Sequence, residues 1–297
     1  MKDYHSFELV KNKVSDGKKT LKELKPKLEK KLEEYNIKYN KTNSTFGKIF
    51  KILSSIESDF YKLKKGQWEI KFIKYIECMW IANVLIEILD EPEAKNILRR
   101  ISLKNIEILD IRKPNQGKDA LWEADLYRRL KKSNATITFN EPDLIVALPN
   151  GLSYAIACKK KYYLNEKGEK TRGIKSALDK GVRQLNKNMY GLIAINIDDL
   201  LPENFILNIK KDKDDDKYLN LVIHRFFDIN KKYLSKAYLC NSCDGILISM
   251  KVITKYNGEL NTADKKICFL TSYSAQSNCR INLFLSMLDK CLYKKHS

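Results

Sequence analysis

Asp143 and Lys159 are the residues whose types and spacing most clearly offer chemistry. They stand at the outer ends of two short runs rich in β-branched and aliphatic residues, Asp143–Leu148 and Leu152–Cys158. Pro149-Asn150-Gly151 lies between the runs and suits a three-residue hairpin loop. Proline presets the first turn position, asparagine takes the second, and glycine accepts the positive φ that closes the loop. Such a loop centres the pairing on Asn150 and sets Asp143 opposite position 157. Side chains alternate along a strand. Leu144, Val146, Leu148, Leu152, Tyr154, Ile156 and Cys158 therefore share an apolar face that must be buried, and Asp143, Ala157 and Lys159 share the other. A carboxylate there can hold a divalent cation, and an ammonium beside it can orient a water or hold a phosphate oxygen. A two-residue Asn-Gly turn would put Asp143 and Lys159 on opposite faces, so the site depends on the loop length.

Pro142-Asp143, thirteen intervening residues and then Ala157-Cys158-Lys159 resemble the signature of the PD-(D/E)XK nucleases, the restriction-endonuclease-like fold. The resemblance covers roughly residues 118–200. It departs at its centre, because Ala157 stands where the family carries Glu, Asp or sometimes Gln. The resemblance implies a metal-dependent endonuclease that hydrolyses DNA phosphodiester bonds with Mg2+ or Mn2+, in bacterial anti-phage or restriction-type defence. It implies Asp143 as the fixed metal ligand, the Cys158 backbone carbonyl as another, and Lys159 as the group that orients the attacking water. Glu123, on the helix before the Asp143 strand, matches a Glu that reaches the metal in the family. Gln184 resembles a Gln that several branches carry on the helix after the Lys strand. With Ala157 the set is one carboxylate short, so the implied nuclease is inactive in this form. The retention of Asp143, Lys159, Glu123 and Gln184 around it favours one replacement over general decay. Two alternatives stay open: a catalytically dead nucleic-acid-binding module of the same fold, and a helical adaptor in a multiprotein complex.

The whole chain bounds these expectations. Its 297 residues carry a formal net charge of +19 and a pI near 9.4, which favours polyanions and makes DNA the expected partner. Most of the basic residues are lysine, a bias that an AT-rich genome also produces. Lys160, Lys161 and Arg183 border the hairpin and are the expected phosphate-binding cations. Only three histidines are present, which leaves little room for His-based triads or His-rich metal sites. The seven cysteines form an odd set without an apolar leader, so reduced thiols are expected. Cys240-Asn241-Ser242-Cys243 is half a zinc knuckle, but no second CxxC completes it, and thiols are the expectation. The longest apolar run, Cys78–Leu89, is too short to cross a bilayer, so a soluble cytoplasmic protein is expected.

The remaining elements must position the site. Leu21, Leu24, Leu28, Leu32, Tyr35 and Tyr39 recur at helical spacing from Lys18 onward, with Pro26 marking a first turn or a kink. Helices also follow from Phe46–Leu63, Trp68–Leu89 and Asp90-Glu91-Pro92 onward. Residues 1–115 read as an all-α domain that could meet a partner protein or a second protomer. Pro114-Asn115-Gln116-Gly117 reads as a linker. Residues 116–297 read as an α/β domain with a mixed sheet flanked by helices: a helix over Ala120–Lys132, a strand over Ala135–Phe139, the hairpin, a helix over Arg172–Asn188 and a buried strand over Gly191–Ile197. Lys210–Lys217 reads as a solvated loop. A helix over Leu219–Leu239, strands over Gly245–Tyr256 and Lys266–Tyr273 and a closing helix over Ile281–Tyr293 complete it.

Overall fold

The computed structural model describes residues 4–42, 44–62, 65–102, 116–140, 143–162, 172–185, 189–201, 205–210, 214–238, 240–256, 259–270 and 274–292. The chain divides into two compact units. One comprises Met1–Ala124, Pro202–Lys210 and Ile253–Thr262, and the other Asp125–Leu201, Lys211–Val252 and Ala263–Ser297.

The first unit is built on four helices, α1 (Tyr4–Glu34), α2 (Thr45–Lys62), α3 (Lys65–Ile88) and α4 (Ala94–Ser102). The leucine stripe of α1 packs against α2 and α3 of the same chain, and Leu24, Leu28 and Leu32 are buried there. α1 begins at Tyr4 rather than Lys18, and Pro26 lies inside it without ending it. Gly17 lets α1 approach α3, since a Cβ at that position would lie 1.8 Å from the Tyr75 hydroxyl oxygen. Ser44 caps α2 by accepting the Gly47 N–H at 3.1 Å. α3 is apolar around much of its circumference, burying Phe72, Ile73, Cys78, Ile81, Val84, Leu85 and Ile88. It is the centre of this unit.

The remaining elements are α5 (Gln116–Lys131), β1 (Ile137–Asn140), β2 (Asp143–Ala147), β3 (Ser153–Tyr162), α6 (Arg172–Leu185), β4 (Gly191–Asp199), β5 (Ile206–Asn208), α7 (Asp214–Tyr238), β6 (Cys243–Tyr256), β7 (Glu259–Leu270) and α8 (Ala275–Leu292). The strands form a seven-stranded sheet in the order β1-β2-β3-β4-β6-β5, with β7 paired to β6. β1, β2 and β3 are antiparallel neighbours, whereas β3, β4 and β6 run parallel. The protein is thus α/β with a mixed sheet and an N-terminal helical region.

The hairpin loop takes the expected form. Gly151 adopts a φ of 82°, its N–H donates to the Leu148 carbonyl at 2.8 Å, and the Leu148 N–H donates to the Leu152 carbonyl at 2.9 Å. The register follows, with Leu144 opposite Ile156, Ile145 opposite Ala155, Val146 opposite Tyr154 and Ala147 opposite Ser153.

Several boundaries differ from expectation. Asp214, Asp215 and Asp216 form the first turn of α7 rather than a loop, where carboxylates complement the partial positive charge of a helix N-terminus. β7 starts at Glu259 although its first half is polar. Gln116 and Gly117 already belong to α5, while Pro114 and Asn115 of the expected linker lie outside the described residues.

Two glycines give a stability test. Gly151→Ala meets no atom within 4 Å but keeps a left-handed backbone, so it should cost about 1 kcal/mol. At Gly191 a Cβ would lie 2.0 Å from the Ala155 carbonyl oxygen, and β3 and β4 would have to part. Urea unfolding followed by circular dichroism should show Gly191→Ala as the more destabilised of the two.

Candidate active site

Asp143 is the residue just outside the last antiparallel pair of β2 and β3, and its carboxylate turns over β3. Its Oδ2 accepts the Cys158 N–H at 2.7 Å and the Lys159 ammonium at 3.0 Å. The same ammonium donates to the Cys158 carbonyl at 2.7 Å. The Asp143 and Lys159 side chains are mostly buried, at 19% and 14% exposure, so their attraction is screened less than that of a surface pair. Ala157 is fully buried beside them. One ammonium therefore bridges the two oxygens that a metal was expected to take. These groups do not fit a Mg2+ or Mn2+ ion: Ala157 contributes no oxygen, and the single carboxylate is neutralised by Lys159. Among the described residues no group of three or more His, Cys, Asp or Glu side chains is placed to hold a metal.

Sheet register fixes what shares this face. Ala157 pairs with Ile193, which pairs with Ile246, and Lys159 pairs with Ile195, which pairs with Ile248. α6 covers the face, because a Cβ on Gly181 would lie 3.1 Å from the Ile193 side chain. Gln184 lies one turn beyond Gly181 and is half-buried, on the helix that packs over the Asp143–Lys159 side of the sheet. Arg183, next to it, is exposed, and its Nε donates to the Asp179 carbonyl at 3.1 Å.

Glu123 has a different engagement. Arg100 Nη1 donates to its Oε2, and Arg100 Nη2 donates to its Oε1 at 2.8 Å, a two-pronged pair on a buried carboxylate. This partner comes from 23 residues upstream, beyond the reach of helical spacing rules. Lys160 points to the face opposite Lys159, pairing in register with Asn196, and its ammonium lies 3.5 Å from Asp199 with both side chains mostly buried. The side chain of Lys161 lies outside the described residues. Cys240 and Cys243 are buried free thiols, and Cys243 donates to the Gly245 carbonyl at 3.5 Å. Burial pushes the nearby Cys268 thiol up to about 12.

A second group of charges occupies the Lys160 side of the sheet. Asp125 accepts from Arg128 Nη2 at 2.9 Å and from Arg129 Nε at 2.8 Å. Arg129 Nη1 reaches Asp264 at 2.6 Å, and Asp264 also takes Lys266 at 2.9 Å. Asp198 accepts the Lys251 N–H at 2.7 Å. Burial opposes the Asp125 charge, but Arg129 and Arg128, helped by Lys251 and Lys266, more than offset it and hold the carboxyl well below its usual range. Burial raises the Asp198 carboxyl, against the pull of Lys160 and Lys251. The i,i+3 and i,i+4 spacing of Asp125 with Arg128 and Arg129 was visible in the sequence; the partners on β7 were not.

The sign of the pH effect follows from Asp125. Its folded pKa lies below its unfolded one, so its stabilisation is complete above the unfolded carboxylate range and fades as pH falls through the folded value. Asp125→Asn leaves two buried guanidiniums short of a charge and should cost about 3 kcal/mol at neutral pH. The deficit against the parent chain should shrink as pH drops below about 4. Urea unfolding at a series of pH values reads both quantities.

No protein-family model, no curated protein and no solved structure matches the chain.

Proposed function

We propose that this chain carries a restriction-endonuclease-like domain built to hydrolyse DNA phosphodiester bonds, in a form inactivated at position 157. The observation that carries the reading is the meeting of the Asp143 carboxylate and the Lys159 ammonium at 3.0 Å, on the sheet face that also holds Ala157. An acid and a lysine in contact, with a bare methyl at position 157 beside them, support the likeness to the PD-(D/E)XK order that the sequence suggests. The sheet supports the reading too, since an antiparallel hairpin feeding a parallel β3–β4–β6 core presents both residues near strand ends, where open α/β sheets bind ligands. The net charge of +19 supports DNA as the substrate and a steep salt dependence of binding.

One observation favours a second reading for the chain as it stands. Lys159 neutralises Asp143 and satisfies the Cys158 carbonyl, so the site is closed on itself and suits a catalytically dead module that binds nucleic acid. Position 157 separates the two. Ala157→Glu would place a second carboxylate across from Asp143, at a cross-strand Cβ distance of about 4.5–5.5 Å. It would give Lys159 a new partner and free Asp143 for a cation. Ala157→Asp is the smaller companion for so buried a position.

Plasmid nicking, run with Mg2+ or Mn2+ and with EDTA, reads the outcome. One of the two acids at 157 should gain metal-dependent cleavage, and Asp143→Ala or Lys159→Ala in that background should abolish it. If neither acid variant cleaves while both remain folded and bind duplex DNA, the binding-module reading stands and the nuclease reading falls.

A further inference from the structure

The helical unit holds a cleft that the chemistry proposed above does not use. Its volume is about 440 Å³, within the range of small-molecule sites. α1 and α2 form its walls in antiparallel alignment: Lys18 pairs with Glu57, and the Lys25 ammonium lies 5.8 Å from the centre of the Phe50 ring. The loop between the helices closes one end. Gly47 makes that closure possible, since a Cβ there would lie 2.2 Å from the Lys41 carbonyl oxygen. The loop backbone rests directly on α2, and Lys41 joins Lys25 and Lys51 in lining the cleft. Three exposed lysines, from α1, the loop and α2, therefore border one space.

Among the described residues none of the three lysines has a salt-bridge partner. The single carboxylate of the cleft, Glu29, accepts the Tyr39 hydroxyl on Oε1 at 2.7 Å. A carboxylate has lone pairs for more than one donor. An excess of positive charge calls for an anion. The Phe50 ring and the Glu29 acceptor call for a body that an inorganic anion lacks: something flat or apolar, bearing hydroxyl or amine donors. We propose that this cleft binds a nucleoside phosphate, with the phosphate held by Lys25, Lys41 and Lys51 and the sugar and base set against Phe50 and Glu29. The proposal stands independently of the nuclease reading.

Isothermal titration calorimetry on the full chain tests it, with AMP, GMP, CMP, UMP and ATP as probes and adenosine and inorganic phosphate as comparisons. At least one nucleotide should bind with a stoichiometry of one. Lys25→Ala/Lys51→Ala should weaken it about tenfold or more. Phe50→Leu should weaken it by a smaller factor. Lys19→Ala/Lys22→Ala, an exposed pair on α1 that does not line the cleft, should weaken it far less. Circular dichroism confirms that each variant is folded. No nucleotide binding at about 1 mM, equal binding of inorganic phosphate, or an equal loss from the Lys19/Lys22 pair would each overturn the proposal.

Discussion

Gly151 holds a φ of 82°, and the two faces of β3 are sorted by that one turn. With three residues in the loop, Ile156 and Tyr154 are buried against Leu144 and Val146. Asp143 and Lys159 then fall on the same side. A loop shorter by one residue would exchange the faces of one strand relative to the other. The apolar alternation and the Asp143–Lys159 contact are therefore one constraint: the burial that stabilises the hairpin also brings the acid to the lysine. Tyr154 carries the constraint further, because its ring lies 5.5 Å from that of Phe284 and ties the same strand to α8.

Charge is handled differently on the two sides of the sheet. Beneath α6 Asp143 pairs closely with Lys159, beside an uncharged methyl at 157. On the other side four aspartates meet Arg128, Arg129, Lys160, Lys251 and Lys266 in a mostly buried network. Networks of this kind hold strand ends and helix ends in register and are costly to break one member at a time. An acid added at the fully buried position 157 would have Lys159 as a nearby partner, which offsets part of the cost of burying it. On the crowded side every added or removed charge would have to be balanced against several others.

Much of this was legible from the sequence, for physical reasons that differ by element. The hairpin could be read because turn chemistry and two-residue alternation agree locally. The helical core could be read because leucine and isoleucine recur at helical spacing. Glu123 shows the limit: its place on α5 before the Asp143 strand was readable, but its partner Arg100 was not, since nothing local encodes a pairing between distant helices. The short β5, Ile206–Asn208, and the polar first half of β7 escaped for a related reason. Their pairing with β6 is supplied by a neighbouring backbone rather than by their own side-chain pattern. Asp214–Asp216 were misread because a run of like charge resembles a solvated loop until the helix that follows gives it a dipole to complement.

The division after Ala124 also fixes what light can report. All three tryptophans, Trp68, Trp80 and Trp122, precede that point. Indole fluorescence therefore follows the helical unit, whereas the sheet-bearing unit contributes only tyrosine emission. An indole melt that coincides with the loss of backbone circular dichroism would show one cooperative molecule, and one that departs from it would resolve the units without any label.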